Sequence, residues 1–184
     1  MNEPISNRRS IRLKEYDYSS VGAYFVTICV QNKLCLFGKI SDGVVRLNEF
    51  GNIERNEWFE IEKHRPNVEL DAFVVMPNHV HGIVFLKNAD DVGECSTKTR
   101  RARHAVPLQK ERFGKPTKGS IPTIIRAYKS AVSKMIHQLG YDRTVWQRNY
   151  YEHIIRDELE HQRIYSYIEN NPFDWNNDEM YCLP

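Results

Sequence analysis

The chain has 184 residues, enough for one core with additions and too few for two comfortable domains. With 41% hydrophobic and 27% charged residues it has the composition of an ordinary soluble globular protein, and a formal net charge of +2 excludes a molecule whose whole surface is built to hold a polyanion. The charge is uneven, however: from Lys98 to Lys118 there are eight Lys or Arg residues against the one acid Glu111, so the rest of the chain is net acidic.

The four cysteines, at positions 29, 35, 95 and 182, have no metal-ligand spacing. No apolar run approaches the ~20 residues of a membrane span, and the first residues lack the apolar core of a secretory signal. The expectation is a cytoplasmic protein with reduced thiols and no membrane partner.

Residues 1–20 read as a basic N-terminal arm carrying Arg8, Arg9 and Arg12, followed by Tyr16 and Tyr18. Such an arm is either solvated or tracks phosphates and stacks on bases. Residues 21–172 read as a single domain and 173–184 as a tail. Ala23 to Val30 is apolar on both faces and rich in strand formers, which suits a central strand of a covered sheet. Leu34 to Ile40 and Val44 to Leu47, joined by Ser41-Asp42-Gly43, read as a hairpin. The spacing of Leu47, Phe50, Trp58 and Ile61 predicts a helix over 47–64, with Glu54, Glu57, Glu60 and Glu62 at its edges and outside.

Val68 to Met76 and His79 to Leu86 are two strands joined tightly through Pro77-Asn78. Residues 88–118 lose periodicity and form a long basic excursion. Its Lys98, Arg100, Arg101, Arg103, Lys110, Arg112, Lys115 and Lys118 are candidates for phosphate contacts, a solvated linker being the competing account. Ser120 then caps a helix with one apolar stripe: Ile121, Ile124, Ile125, Tyr128, Val132, Met135, Ile136 and Leu139, ended by Gly140. Thr144 to Ile155 reads as an irregular strand, and Asp157 with Glu160 opens a last helix that Pro172 stops. The element order is that of an α+β protein with a ferredoxin-like βαββαβ core, its sheet mostly antiparallel with helices packed on it.

Two places carry candidate chemistry. In the run Met76-Pro77-Asn78-His79-Val80-His81, the histidines share one strand face ~7 Å apart with Ile83 and Phe85, while Val80, Val84 and Leu86 take the other. Alone, such a pair is open between metal ligands and core histidines. In the last helix, Tyr167 falls on the packing face with Glu160, Ile164, Ile168 and Asn171, whereas Tyr165 shares a water-facing side with Glu158, Gln162 and Glu169. His153, just before that helix, is open between a phosphate contact and a structural role.

These residues resemble a family. His79-Val80-His81 matches the His-hydrophobic-His motif of the HUH single-strand nucleases. Tyr165 to Pro172 is similar to the catalytic helix of the single-tyrosine transposases. With Trp146-Gln147 and Tyr151 to Arg156, the set resembles the REP-associated tyrosine transposases over roughly residues 20–172. The resemblance implies that His79, His81 and Asn171 bind a divalent metal, Mg²⁺ or Mn²⁺, and that Tyr167 is the nucleophile. It further implies single-stranded DNA with palindromic hairpins as the substrate, nicked and rejoined through a 5′-phosphotyrosine link. Relatives of this kind include monomers and dimers, so a homodimer stays open. Two other readings remain: a catalytically idle DNA- or RNA-binding protein of the same fold, and a two-tyrosine nuclease, which the wheel position of Tyr165 disfavours.

Overall fold

The structure, a computed structural model, describes residues 16–88, 117–178 and 180–181. Strand β1 (Gly22–Cys29) is followed by a hairpin of β2 (Gly38–Ser41) and β3 (Val44–Leu47), then helix α1 (Glu49–His64). Next come β4 (Val68–Val75), β5 (His79–Leu86), α2 (Ile121–Gln138), β6 (Tyr151–Ile155) and α3 (Glu158–Asn170). The main sheet has the order β4-β5-β1-β6, and every neighbouring pair is antiparallel. β2 and β3 pair with each other in a separate two-stranded sheet. This is the α+β, βαββαβ arrangement that the element order predicts.

Alternation along the strands divides the protein into layers. On one sheet face, Tyr24, Val26 and Ile28 of β1 join Val80, Val84 and Leu86 of β5 in a core with Trp58 and Ile61 of α1 and the isoleucines of α2. On the other, Ala23, Phe25, Ile83 and Ile155 pack with Ile164 and Ile168 of α3. Helices α1 and α2 therefore cover one face and α3 the opposite one. Gly82 points at the α1 side, where a Cβ would stand 2.3 Å from Cζ2 of Trp58, whose ring stacks on Phe73 at 4.5 Å. Only a glycine lets the indole lie this close to the strand.

Several expectations change on contact with the structure. Residue 47 ends β3 rather than starting the helix, because Asn48 is the cap: its Oδ1 accepts from the Gly51 N–H at 2.9 Å. Glu54, read as an edge or outside residue, is fully buried, with its carboxyl receiving the Tyr128 hydroxyl from α2. Ser120 stands at the N-cap of α2 without capping; its hydroxyl donates backwards to the Thr117 carbonyl. Met135 and Leu139 lie in the apolar stripe of α2 yet are exposed, since the stripe outruns the surface that covers it. Regular pairing in 144–155 begins only at Tyr151; before it there is a single bridge, Val30 to Trp146.

Tyr16 and Tyr18 do not belong to a free arm. Their rings are 4.9 Å apart and pack against Tyr24, and Tyr18 is buried. Arg8, Arg9 and Arg12 lie outside the described residues, as do Lys98, Arg100, Arg101, Arg103, Lys110, Arg112 and Lys115. Among the described residues, no helix is long and apolar enough to cross a membrane.

Candidate metal and tyrosine site

β5 carries His79 and His81 on its α3-facing side, both buried, opposite Cys29 and Thr27 of β1. Strand pairing fixes the two backbones, and second contacts fix each ring. His81 Nδ1 is 2.8 Å from the buried hydroxyl of Thr27. His79 Nδ1 is 2.7 Å from Oδ1 of Asn78. The Asn78 amide nitrogen donates to the carbonyls of Lys33 and Met180 at 3.3 and 2.7 Å, so its oxygen is the end left for the imidazole. Nδ1 of His79 therefore carries the hydrogen, and its Nε2 presents a lone pair. The same tautomer in His81, with Nδ1–H donating to Thr27, aims a second lone pair at the first.

The two Nε2 atoms are 3.0 Å apart. Lone pairs at that distance repel unless a proton or cation lies between them. Two ligand atoms ~2.1 Å from one ion and at right angles to each other stand ~3.0 Å apart, which matches this spacing. Burial drives both imidazoles toward neutrality, the form that ligates metals. For His79 burial lowers the pKa to about 4, opposed by the Asp178 carboxylate and the Asn171 amide. His81 is likewise lowered, first by burial and then by its neighbour His79.

Asp178 completes a group able to hold a metal, its ligand atom and those of His79 and His81 all lying within 4.8 Å of one another. The segment after α3 brings it there, with Trp175 6.0 Å from the His79 ring. Asn171 lies beside it, donating from Nδ2 to Asp178 Oδ2 at 2.9 Å. Asn171 keeps right-handed helical angles (φ −54°, ψ −38°) although a residue before proline is biased toward extended ones. Its buried Oδ1 lies close enough to the His79 ring to favour the protonated imidazole, and otherwise meets no hydrogen-bond donor among the described residues. A buried acceptor in that state is costly, and a cation is a chemically suitable partner for it. The donor set of two neutral imidazoles, a carboxylate and an amide oxygen fits a divalent metal.

α3 brings Tyr167 to the same place. Its hydroxyl is 3.3 Å from His81 Nε2, and its ring lies 5.2 Å from His81 and 6.1 Å from Phe25. Tyr167 is 47% exposed and borders a cavity of about 230 Å³ lined also by Arg163, Ser166, Asn170, Asn171 and Asp174. A phenol open to solvent and touching a buried imidazole pair can meet an incoming phosphate. Tyr165 stands on the β4 side, its ring 6.2 Å from His161, whose Nε2 is 2.6 Å from Asp71. His153 bonds Glu160 Oε1 at 2.8 Å and so braces the start of α3. Lys118 lies exposed in the turn before α2, a helix on the opposite face of the sheet.

Thus His79, His81, Tyr167 and Asn171 come together, and Lys118 does not join them. Sequence reasoning missed Asp178, Asn78 and Thr27. The Met-Pro-Asn-His order and the strand register signal Asn78 and Thr27; Asp178 sits in the tail, where no periodicity marks it.

No family model matches the chain. An uncharacterized protein of Haemophilus influenzae is 44% identical over 183 residues, covering 98% of this chain and 96% of that protein. A second protein of that organism, described as "Putative REP-associated tyrosine transposase", is 24% identical over 159 residues, covering 85% of this chain and 73% of its own length. Among solved structures, a REP-associated tyrosine transposase bound to a REP hairpin superposes with a TM-score of 0.55 at 20% identity, covering 92% of this chain and 74% of that one.

Proposed function

We propose that the chain is a member of the REP-associated tyrosine transposases, with which it shares 24% identity to one relative and the fold of a solved one, and that it nicks and rejoins single-stranded DNA at hairpin sites through a tyrosine–phosphate intermediate. The observation that carries this reading is the Tyr167 hydroxyl standing 3.3 Å from Nε2 of His81, at the rim of the buried histidine pair. His79, His81 and Asp178, with Asn171, would hold a divalent cation, whose charge when bound polarises a phosphate oxygen and stabilises the charge that develops there.

The protein's own part follows from the geometry. α3 presents the phenol from the solvent side, so a strand laid along the cavity meets it with its phosphate toward the histidines. The Tyr167 oxygen bonds to phosphorus, its proton passing to solvent, and the bond to the 3′ oxygen breaks, that oxygen taking up a proton. The products are a 5′-phosphotyrosine and a free 3′ hydroxyl. Attack by a 3′ hydroxyl on the phosphotyrosine reverses the bond changes and reseals DNA without a nucleotide cofactor. The solved relative bound to a REP hairpin supports hairpin DNA as the partner.

The test is hairpin-bearing single-stranded DNA incubated with Mg²⁺ or Mn²⁺ and resolved under denaturing conditions. The expected product is protein attached to a 5′ end, lost in Tyr167→Phe with DNA binding kept, and retained in Tyr165→Phe. Gel-shifted DNA that never yields an adduct would make the chain a binding protein of this fold. An adduct surviving Tyr167→Phe would move the nucleophile elsewhere.

A further inference from the structure

A second concave surface lies away from the histidines, between α2 and the segment that leads into β6. It is a groove of about 430 Å³ whose walls include Ser130, Ser133, Arg143, Thr144, Gln147 and Arg148. Val145 and Trp146 also line it, and both are buried. Asp142 is the one acid in its wall. Among the described residues, neither Arg143 nor Arg148 is in a salt bridge, and both are exposed. Unspent guanidinium charges beside three hydroxyls suit phosphate oxygens.

The wall that carries them is held in place. Lys129 donates to the carbonyls of Gln147 and Arg148 at 2.5 and 3.3 Å, and His137 Nε2 lies 3.0 Å from the Arg143 carbonyl. Trp146 Nε1 donates to the Lys129 carbonyl at 3.2 Å. The Gln31 N–H reaches the Val145 carbonyl at 2.8 Å and the Gln147 N–H reaches that of Cys29 at 2.9 Å, tying the segment to the end of β1. The groove therefore does not have to be ordered by its ligand.

Its position supplies the identity of that ligand. Cys29, where the segment is tied, pairs with His79. From Arg148 the chain needs only three residues, at most ~11 Å, to reach Tyr151. The Tyr151 ring is 49% exposed and 6.3 Å from Phe25, which in turn lies 6.1 Å from Tyr167. The groove thus lies by the β6 edge and Tyr167 over the central strands β1 and β5, near the same end of the sheet and on opposite faces. We propose that this groove is a second DNA contact, gripping backbone phosphates of the single strand that flanks the hairpin as it passes round the β6 edge to Tyr167. The proposal rests on the reading of the chain as a DNA-processing enzyme.

The experiment is fluorescence anisotropy with the full chain in chelator, using a labelled hairpin with single-stranded flanks and the same hairpin without them, from 0.05 to 0.5 M salt. Two lost single-strand phosphate contacts lower the log–log salt slope by ~1.4, which, with 1 M salt as the common point, is roughly a twentyfold loss at 0.1 M. Arg143→Ala/Arg148→Ala is expected to show that change on the flanked DNA and none on the bare hairpin. The Lys/Lys replacement should restore the slope, because a phosphate needs the charge more than the fork. Equal affinity and slope for the Ala pair overturn the groove while leaving the DNA reading intact. An equal loss on both DNAs overturns it too, since the groove would then hold the hairpin. If the unaltered chain binds neither DNA, the DNA reading falls and this inference with it.

Discussion

Thr27→Val tests whether the histidine pair is held for metal or merely packed. The substitution keeps the shape of a side chain that is 5% exposed and removes the hydroxyl 2.8 Å from His81 Nδ1. The imidazole then has two poor choices. With the hydrogen left on Nδ1, a buried donor goes unsatisfied at a cost of about 1–3 kcal/mol. With the hydrogen moved to Nε2, that nitrogen donates toward His79 Nε2 and no longer offers a lone pair. Either choice lowers affinity for a cation at the pair, by about 10- to 100-fold on the scale of other losses of outer-shell partners. Calorimetric titration with Mn²⁺ reads the affinity, and urea melts in chelator read the stability separately. A Thr27→Val protein that is less stable but binds Mn²⁺ as the parent does would refute the reasoning, showing that the hydroxyl serves the core and not the ligand.

Other consequences are as concrete. Gly82→Ala sets a methyl 2.3 Å from the Trp58 ring, so the indole must move; destabilisation of about 1–3 kcal/mol is expected in urea melts, partly relieved by Trp58→Phe. Burial holds the Glu54 carboxyl well above its usual range, so the folded chain keeps a proton that the unfolded chain releases. That contribution is full below the unfolded pKa of ~4.3 and is lost as pH rises through the folded value; Glu54→Gln should flatten a decline of stability with alkaline pH. For His79 the sign is opposite: the unfolded chain binds the extra proton. In chelator, stability present above pH ~6.5 should fall as pH drops toward the folded pKa of about 4, by up to ~3 kcal/mol for this group. A metal-free urea midpoint flat from pH 7 to 4 would contradict this.

What could be read from the residues depended on periodicity. β5 was legible on both sides because its two faces differ in kind, apolar toward α1 and α2, two imidazoles beside Ile83 and Phe85 toward α3. The two tyrosines of α3 separated on the wheel for the same reason: two residues apart, they stand ~200° apart. Glu54 falls in the middle of the Leu47, Phe50, Trp58 and Ile61 stripe but escaped because a carboxyl is expected in water, and the hydroxyl that meets it comes from Tyr128, far along the chain. Asp178 escaped because it belongs to no helix or strand and reaches the histidines only through the turn after Asn171. Pro172 marked the end of α3 correctly, since the helix stops at Asn170, although Asn171 itself keeps helical angles and hydrogen-bonds Asp178.

The layer that bears Tyr167 is also the thinnest. α2 buries seven residues, whereas α3 fully buries only Ile168 and is otherwise pinned at its flanks by His161 to Asp71 and by Glu160 to His153. Free energies of local opening follow buried apolar contact, so amide hydrogens along α3 should exchange by a partial excursion, while those of β1 and β5 wait for global unfolding. The sheet that presents the histidines can thus stay folded while the helix lifts. A nucleophile that must admit a bulky polymer, become covalently attached to it and later release it is carried by the element whose detachment costs the fold least.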